Sequence, residues 1–186
     1  VVDEAYIDFA YGSGNSAIPL VKRYSNLVVL RSFSKSFSLA GMRIGLAFAA
    51  EELINGMIKV KDSYNLSRLS LVSALAALQD LPWMMRNVGK IQKTRKRLTR
   101  MLKKIGFSVY PSQANFVMVR RRGDDLSGLY QELKRRGILV RYFGVRGMED
   151  ALRITVGTPQ EIKTLLFEMA AILEVTSKSQ RVRLCK

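Results

Sequence analysis

One stretch of the chain concentrates side chains able to do chemistry: SFSKSFSLAGMRIG, from Ser32 to Gly45. It sets Lys35 among four serines and follows it, eight positions on, with Arg43. An amine held neutral in a crowded pocket is a nucleophile toward carbonyls and forms a Schiff base. Serine hydroxyls and a guanidinium are the groups that hold a phosphate dianion. A molecule carrying both an aldehyde and a phosphate is pyridoxal 5′-phosphate. Lys35 would take its aldehyde, and Ser32, Ser34 and Arg43 its phosphate. By itself the stretch suits a turn-rich loop with a solvated lysine better than a cofactor pocket, and the cofactor reading rests on other parts of the chain.

Two residues nearer the start add weight to the cofactor. Such a ring works as an electron sink when its nitrogen is protonated, which calls for a carboxylate beside it. Asp3 closes the apolar opening of VVDEAYIDF, where an acid is costly unless it meets a cation. Tyr6, three residues on, could donate a hydrogen bond to the ring's phenolic oxygen. An N-cap aspartate and an interior tyrosine are the plainer readings of the same two residues.

Composition narrows the remaining chemistry. There is no histidine, so the usual triad base and the usual zinc ligands are missing, and no metal site is expected. Cysteine is limited to Cys185, which excludes a disulfide framework and predicts a reduced, cytoplasmic setting. No apolar run reaches the ~18 residues that cross a bilayer and no leader opens the chain, so a soluble protein is expected. The formal charge is +16, concentrated in Arg86 to Lys104 and in the tail KSQRVRLCK. A nucleic-acid footprint would look like this, but no aromatic platform accompanies it, and a solvated basic helix face is the reading adopted.

Elements able to position the lysine loop follow from hydrophobic period and punctuation. Val1 to Ala5, Asn26 to Phe33 and Arg43 to Ala49 read as strands, the second apolar enough to be buried on both faces. PLVKRYS reads as a short helix opened by proline. Helices are expected over Glu51 to Asp62, over Ser67 to Asp80 (buried on most sides), and from Pro82 to about Ile105, stopped by Gly106. Beyond it FSVYPSQANFVMVRR gives two strand pieces, Asp125 to Arg136 a helix, GILVRYF and ALRITVG strands, and Pro159 to Glu174 an amphipathic helix. A boundary inside the long helix divides the chain into 1–88 and 89–175, with a frayed basic tail over 176–186.

VVDEAYIDF, NLVVLRSFSKSFSLAGMRIGLAFA and ALRITVGT together resemble the fold-type I pyridoxal-phosphate-dependent aminotransferases of class I and II, and most closely the histidinol-phosphate aminotransferase group. The resemblance runs to about Glu174. It implies an α/β fold: the C-terminal part of a large cofactor domain followed by a small α/β C-terminal domain. It implies that Asp3 pairs with the pyridine nitrogen, Tyr6 with the phenolic oxygen, and Lys35 with the aldehyde before shuttling a proton. It assigns phosphate to Ser32, Ser34 and Arg43. Arg153 would clamp a substrate carboxylate, Asn115 would lie near it, and Arg141 would face the distal phosphate. Tyr64 and Asn65 match a loop near the active site, with no role attached.

The implied reaction moves an amino group between glutamate and a phosphorylated oxo substrate in histidine biosynthesis. Arg153 would serve glutamate's carboxylate in one half and the phosphate in the other. Threonine-phosphate decarboxylase and aromatic aminotransferase are the alternatives within the class, and a basic nucleic-acid-binding module is the distant one. Only the C-terminal half of such a protein is matched. The glycine turn, the ring-stacking aromatic and a second ligand to the phenolic oxygen are absent. The chain is therefore expected to be incomplete, inactive alone, with its two cofactor-domain strands short of neighbours. The resemblance further implies a homodimer with shared active sites.

Overall fold

The structure is a computed structural model that describes residues 1–12 and 14–184, with side chains described through residue 174. The expected basic tail, 176–186, and Cys185 within it have side chains outside the described residues. The chain divides into two compact units, Val1–Lys90 and Ile91–Lys186.

The first unit is built on three strands, β1 (Val2–Asp3), β2 (Val28–Ser32) and β3 (Gly45–Ala49), in that order. β1 runs parallel to β2, setting Asp3 opposite Leu30, and β3 runs antiparallel to β2, setting Ser32 opposite Gly45. The expected shortage of neighbours is corrected for NLVVLRSF, since β2 is the central strand and is paired on both sides. Nor is it buried on both faces. Val28 and Val29 are both buried, but Leu30 on the face of Val28 is 36% exposed, so that second face is covered only in part. Phe9, Val29, Phe33 and Ile44 form the packed side. Gly45 is needed where β3 meets β2, because a Cβ there would stand 3.2 Å from the Arg31 carbonyl oxygen.

Between β1 and β2 the helix expected at PLVKRYS is a 3-10 turn over Ile18–Lys22. After β3 come α1 (Glu51–Val60), α2 (Arg68–Gln79) and α3 (Leu81–Lys104). Ser67 caps α2 by accepting from the Ser70 amide at 3.0 Å, which satisfies one of the free donors of the first turn. The buried Ser70 hydroxyl donates to the Met42 carbonyl at 2.8 Å. That bond ties α2 to the turn that carries Arg43. The expectation that α2 is buried on most sides is also corrected. Leu69, Leu71, Val72 and Leu75 are all more than half exposed, because the apolar residues encircle the helix while only one narrow side meets protein.

The second unit holds a four-stranded antiparallel sheet in the order β4 (Ser108–Val109), β5 (Phe116–Arg120), β7 (Ala151–Thr155), β6 (Arg141–Tyr142). Helices α4 (Ser127–Arg135) and α5 (Pro159–Leu184) complete it. Val117, Val119, Leu152 and Ile154 point to one face and pack with Leu98, Leu102, Leu129, Leu133, Leu165 and Met169. Each such side chain contributes about 1.5–3 kcal/mol on leaving water, which makes this the stronger core. Residues between them, Met118 and Arg153 among these, stand on the opposite face. Gly106 ends α3 at a φ of 92°, as the glycine stop predicts.

Candidate active site

Five of the six residues proposed for the cofactor gather beyond the carboxyl ends of the parallel pair β1 and β2, where open α/β sheets bind their ligands. Asp3 ends β1, and Ser32 ends β2 and leads into the loop of Ser34 and Lys35. Tyr6 follows β1, and Lys35 Nζ lies 5.7 Å from the centroid of its ring. The lysine itself is exposed, not buried as its flanking strands suggest. Asp3 is exposed too, and its Oδ1 accepts from the Ala5 amide at 2.9 Å, which shapes the turn toward Tyr6.

The loop is pinned locally. Ser32 Oγ accepts from the Ser34 amide at 3.0 Å, leaving its own hydroxyl proton to donate to an anion. The Leu39 amide reaches back to the Phe33 carbonyl at 3.0 Å, closing the loop that carries Lys35. Ser38 and Arg43 both sit in the left-handed region, at φ 60° and 55°. Non-glycine residues persist in that conformation only where surrounding structure holds them, and such strain clusters at functional sites. Arg43, the sixth residue, is exposed and bonds back onto its own turn, Nη1 donating to the Ala40 carbonyl at 3.1 Å.

Beneath the loop lies a network that the sequence did not announce. Glu4 is 5% exposed, and its Oε2 accepts from Arg31 Nε and from Ser16 Oγ, both at 2.8 Å. Burial pushes the Glu4 carboxyl up, but the Ala17 amide, Ser16 and Arg31 together hold it below the usual carboxylate range, because each stabilises the charged form. Arg31 Nη1 donates to Asp8 Oδ1 at 3.0 Å, and Ser36 Oγ donates to Asp8 Oδ2 at 2.5 Å. A signal for this was present. Arg31 interrupts the apolar strand VVLRS, and DEAYID supplies acids; a cation in such a place requires acidic partners.

The residues proposed for substrate lie in the second unit. β6 and β7 pair so that Arg141 stands directly opposite Arg153, on the sheet face away from the helices, and both are exposed. Each guanidinium lies near an aromatic ring, Arg153 at 5.2 Å from Phe116 and Arg141 at 5.8 Å from Phe143. Asn115 immediately precedes Phe116, and its carbonyl accepts from the Val156 amide at 2.8 Å. The exposed cations of α3, including Lys90, Lys93, Arg97, Arg100 and Lys104, line its solvent side, opposite the buried Leu98 and Leu102. Among the described residues, no helix is long and apolar enough to cross a membrane, and no group of three or more acids or cysteines could hold a metal.

This donor set fits a phosphorylated aldehyde. A lysine beside a tyrosine, a carboxylate at the adjoining strand end, and serine hydroxyls on the lysine loop are the groups its amine, ring and phosphate chemistry call for.

Comparison with known proteins agrees. A family model described as aminotransferase class I and II matches residues 1–167. The histidinol-phosphate aminotransferase of Gluconacetobacter diazotrophicus is 46% identical over 176 residues, 93% of this chain and 49% of the relative. Histidinol-phosphate aminotransferase 1 of Nostoc sp. is 42% identical over 174 residues, 94% of this chain and 48% of the relative. The crystal structure of histidinol-phosphate aminotransferase from Sinorhizobium meliloti in complex with pyridoxal-5′-phosphate superposes with a TM-score of 0.84 at 28% identity, covering 94% of this chain and 48% of that one. The chain thus spans about half the length of the curated relatives it matches.

Proposed function

The chain belongs to the class I and II aminotransferases, and from that premise we propose that it serves a pyridoxal-phosphate-dependent transamination of the histidinol-phosphate type. The observation that carries this is Lys35 Nζ beside the Tyr6 ring, at the carboxyl end of a parallel strand pair. Residues 1–90 would be the remainder of the cofactor domain, and the unit from Ile91 the small C-terminal domain.

Pyridoxal phosphate, when bound, supplies the electron sink that makes the substrate Cα proton removable. Asp3 would hold the ring nitrogen protonated, and Tyr6 would donate to the phenolic oxygen. Ser32, Ser34 and Arg43 would hold the phosphate. Lys35 Nζ would hold the aldehyde carbon covalently and, once released by the incoming amine, take up and return the Cα proton. Arg153 would bind the carboxylate of glutamate in one half-reaction and the phosphate of the oxo substrate in the other, and Arg141 would face the distal phosphate. Asn115 would lie beside the carboxylate.

Two guanidiniums stand opposed across adjacent strands. They repel unless an anion lies over them, which supports a doubly charged substrate group on this face. Identity of 42% and 46% to histidinol-phosphate aminotransferases supports this reading over a threonine-phosphate decarboxylase or an aromatic aminotransferase. The solvated cations of α3 suit a steering field for phosphorylated substrates better than a nucleic-acid interface. The protein would act in the cytoplasm as a homodimer with shared active sites. The exposed apolar row on α2 supports a covered face there.

A half-reaction assay on the full-length protein tests the reading. Histidinol phosphate should convert the bound cofactor at least about tenfold faster than phenylalanine, a margin expected when a charged pocket is left unpaired. Equal rates, or a preference for phenylalanine, would overturn the substrate assignment.

A further inference from the structure

We propose that Asp8, oriented by Arg31, is a positioning residue for Lys35 and acts through the hydroxyl of Ser36. The inference rests on the cofactor reading above and adds what holds the lysine in place. Ser36 follows Lys35 directly and is 4% exposed, while the lysine is exposed. The loop is thus buried at Ser36 and exposed at its neighbour Lys35.

Asp8 divides its two oxygens. Oδ2 accepts from Ser36 Oγ at 2.5 Å and Oδ1 accepts from Arg31 Nη1 at 3.0 Å, so rotation of the carboxylate would break one bond or the other. Arg31 is fixed in turn by Glu4 through Nε at 2.8 Å and by Ser16 through Nη2 at 3.2 Å. Glu4 is seated by the Ala17 amide at 2.5 Å and by its own amide on the Leu30 carbonyl at 2.8 Å. The path therefore runs from β1, through the end of β2, to the turn after β1, and arrives at the lysine loop. A bond from hydroxyl to carboxylate is charge-assisted and roughly twice as strong as a neutral one. It holds the loop against the left-handed backbone of Ser38, at φ 60°. That strain would relax if the loop were released.

None of these groups needs to touch cofactor or substrate. Their effect is to fix the Cα of Lys35, and a small displacement of an attacking amine costs rate steeply. Nζ adds to the aldehyde carbon, water leaves, and borohydride then supplies hydride to fix the carbon–nitrogen bond. The yield at Lys35 therefore reports its placement.

The full-length protein is treated with pyridoxal phosphate and borohydride, and peptide mass spectrometry gives the label on Lys35 relative to the exposed Lys22. The same is done for S36A, D8N and the double variant, alongside amide exchange over residues 33–38. S36A keeps every ion pair, so it separates placement from folding. The Lys35-to-Lys22 ratio should fall about tenfold in each variant and no further in the double, since the Ser36–Asp8 bond through which Asp8 acts is broken by either change. Amides 33–38 should exchange faster while those of β5 and β7 do not change. A Lys35 preference that survives S36A and D8N overturns the proposal and leaves the cofactor reading standing, as does faster exchange with an unchanged ratio. No preference for Lys35 in the unsubstituted chain overturns both.

Discussion

Arg141 stands directly opposite Arg153 in the antiparallel register of β6 and β7, two like charges on one exposed sheet face. Such a pair destabilises a sheet by about 0.2–1 kcal/mol, a cost that an anion bound over it would offset. R141Q should therefore raise the unfolding free energy of the second unit by that amount in phosphate-free buffer. It should also lose most of the stabilisation that added inorganic phosphate gives the unsubstituted chain. Thermal melts with and without phosphate check both, and an unchanged phosphate shift would contradict the assignment.

Gly157 lies where α5 begins, and a Cβ there would come within 2.6 Å of Glu161 Oε2. That oxygen accepts from the Thr158 amide at 2.6 Å, while the Glu161 amide donates to Thr158 Oγ1 at 3.3 Å. The two bonds make a reciprocal cap. G157A should open the cap and cost about 1 kcal/mol of unfolding free energy, read by urea melts. The variant E161Q should cost less, because it keeps an acceptor for the Thr158 amide.

Hydrogen bonds from Arg135 and Arg136 hold Glu132 down to about 2, well below the ordinary value. Its folded value is depressed, so the stability it contributes is present above the unfolded carboxylate range. That stability is lost as pH falls toward about 2. The side chain is partly exposed, so solvent screening keeps the effect small. The difference in stability between the parent and E132Q should shrink steadily as pH falls from the ordinary carboxylate range toward the depressed value. A constant difference would show that Glu132 is not paired in solution.

Leu152 is fully buried in the core of the second unit. L152A should cost about 2–5 kcal/mol there, from lost transfer energy and the cavity left behind. Leu75 on α2 is 59% exposed. At concentrations where the chain is monomeric, L75K should change stability by less than about 0.5 kcal/mol, as surface substitutions do. It should also reduce aggregation, because it breaks an exposed apolar row. Melts of each variant, followed by light scattering, separate the two cases. A large loss in L75K under monomeric conditions would mean that α2 is covered by its own chain and not by a second copy.

The loop that joins β2 to β3 was legible as a loop because serines and the Ala-Gly pair break the apolar runs on either side of it. The second unit was legible because FVMVR and ALRIT alternate with the period of a half-buried strand. α2 misled, because an apolar composition reports the capacity to be buried and not which neighbour does it. β2 misled similarly: a nearly continuous apolar run suggests two covered faces, yet here Leu30 faces outward. The network of Glu4, Arg31, Asp8 and Ser36 was half legible: a cation in an apolar strand calls for acids, but Glu4 and Asp8 lie 27 and 23 residues before Arg31. A single sequence carries no record of which charges meet across such a gap.

The most direct test of the central claim is to trap the chain with pyridoxal phosphate and borohydride and locate the label by peptide mass spectrometry, beside K35A. In the full-length protein the account predicts label concentrated on Lys35 and lost in K35A. Label scattered over many lysines, or the same total in K35A, would contradict it.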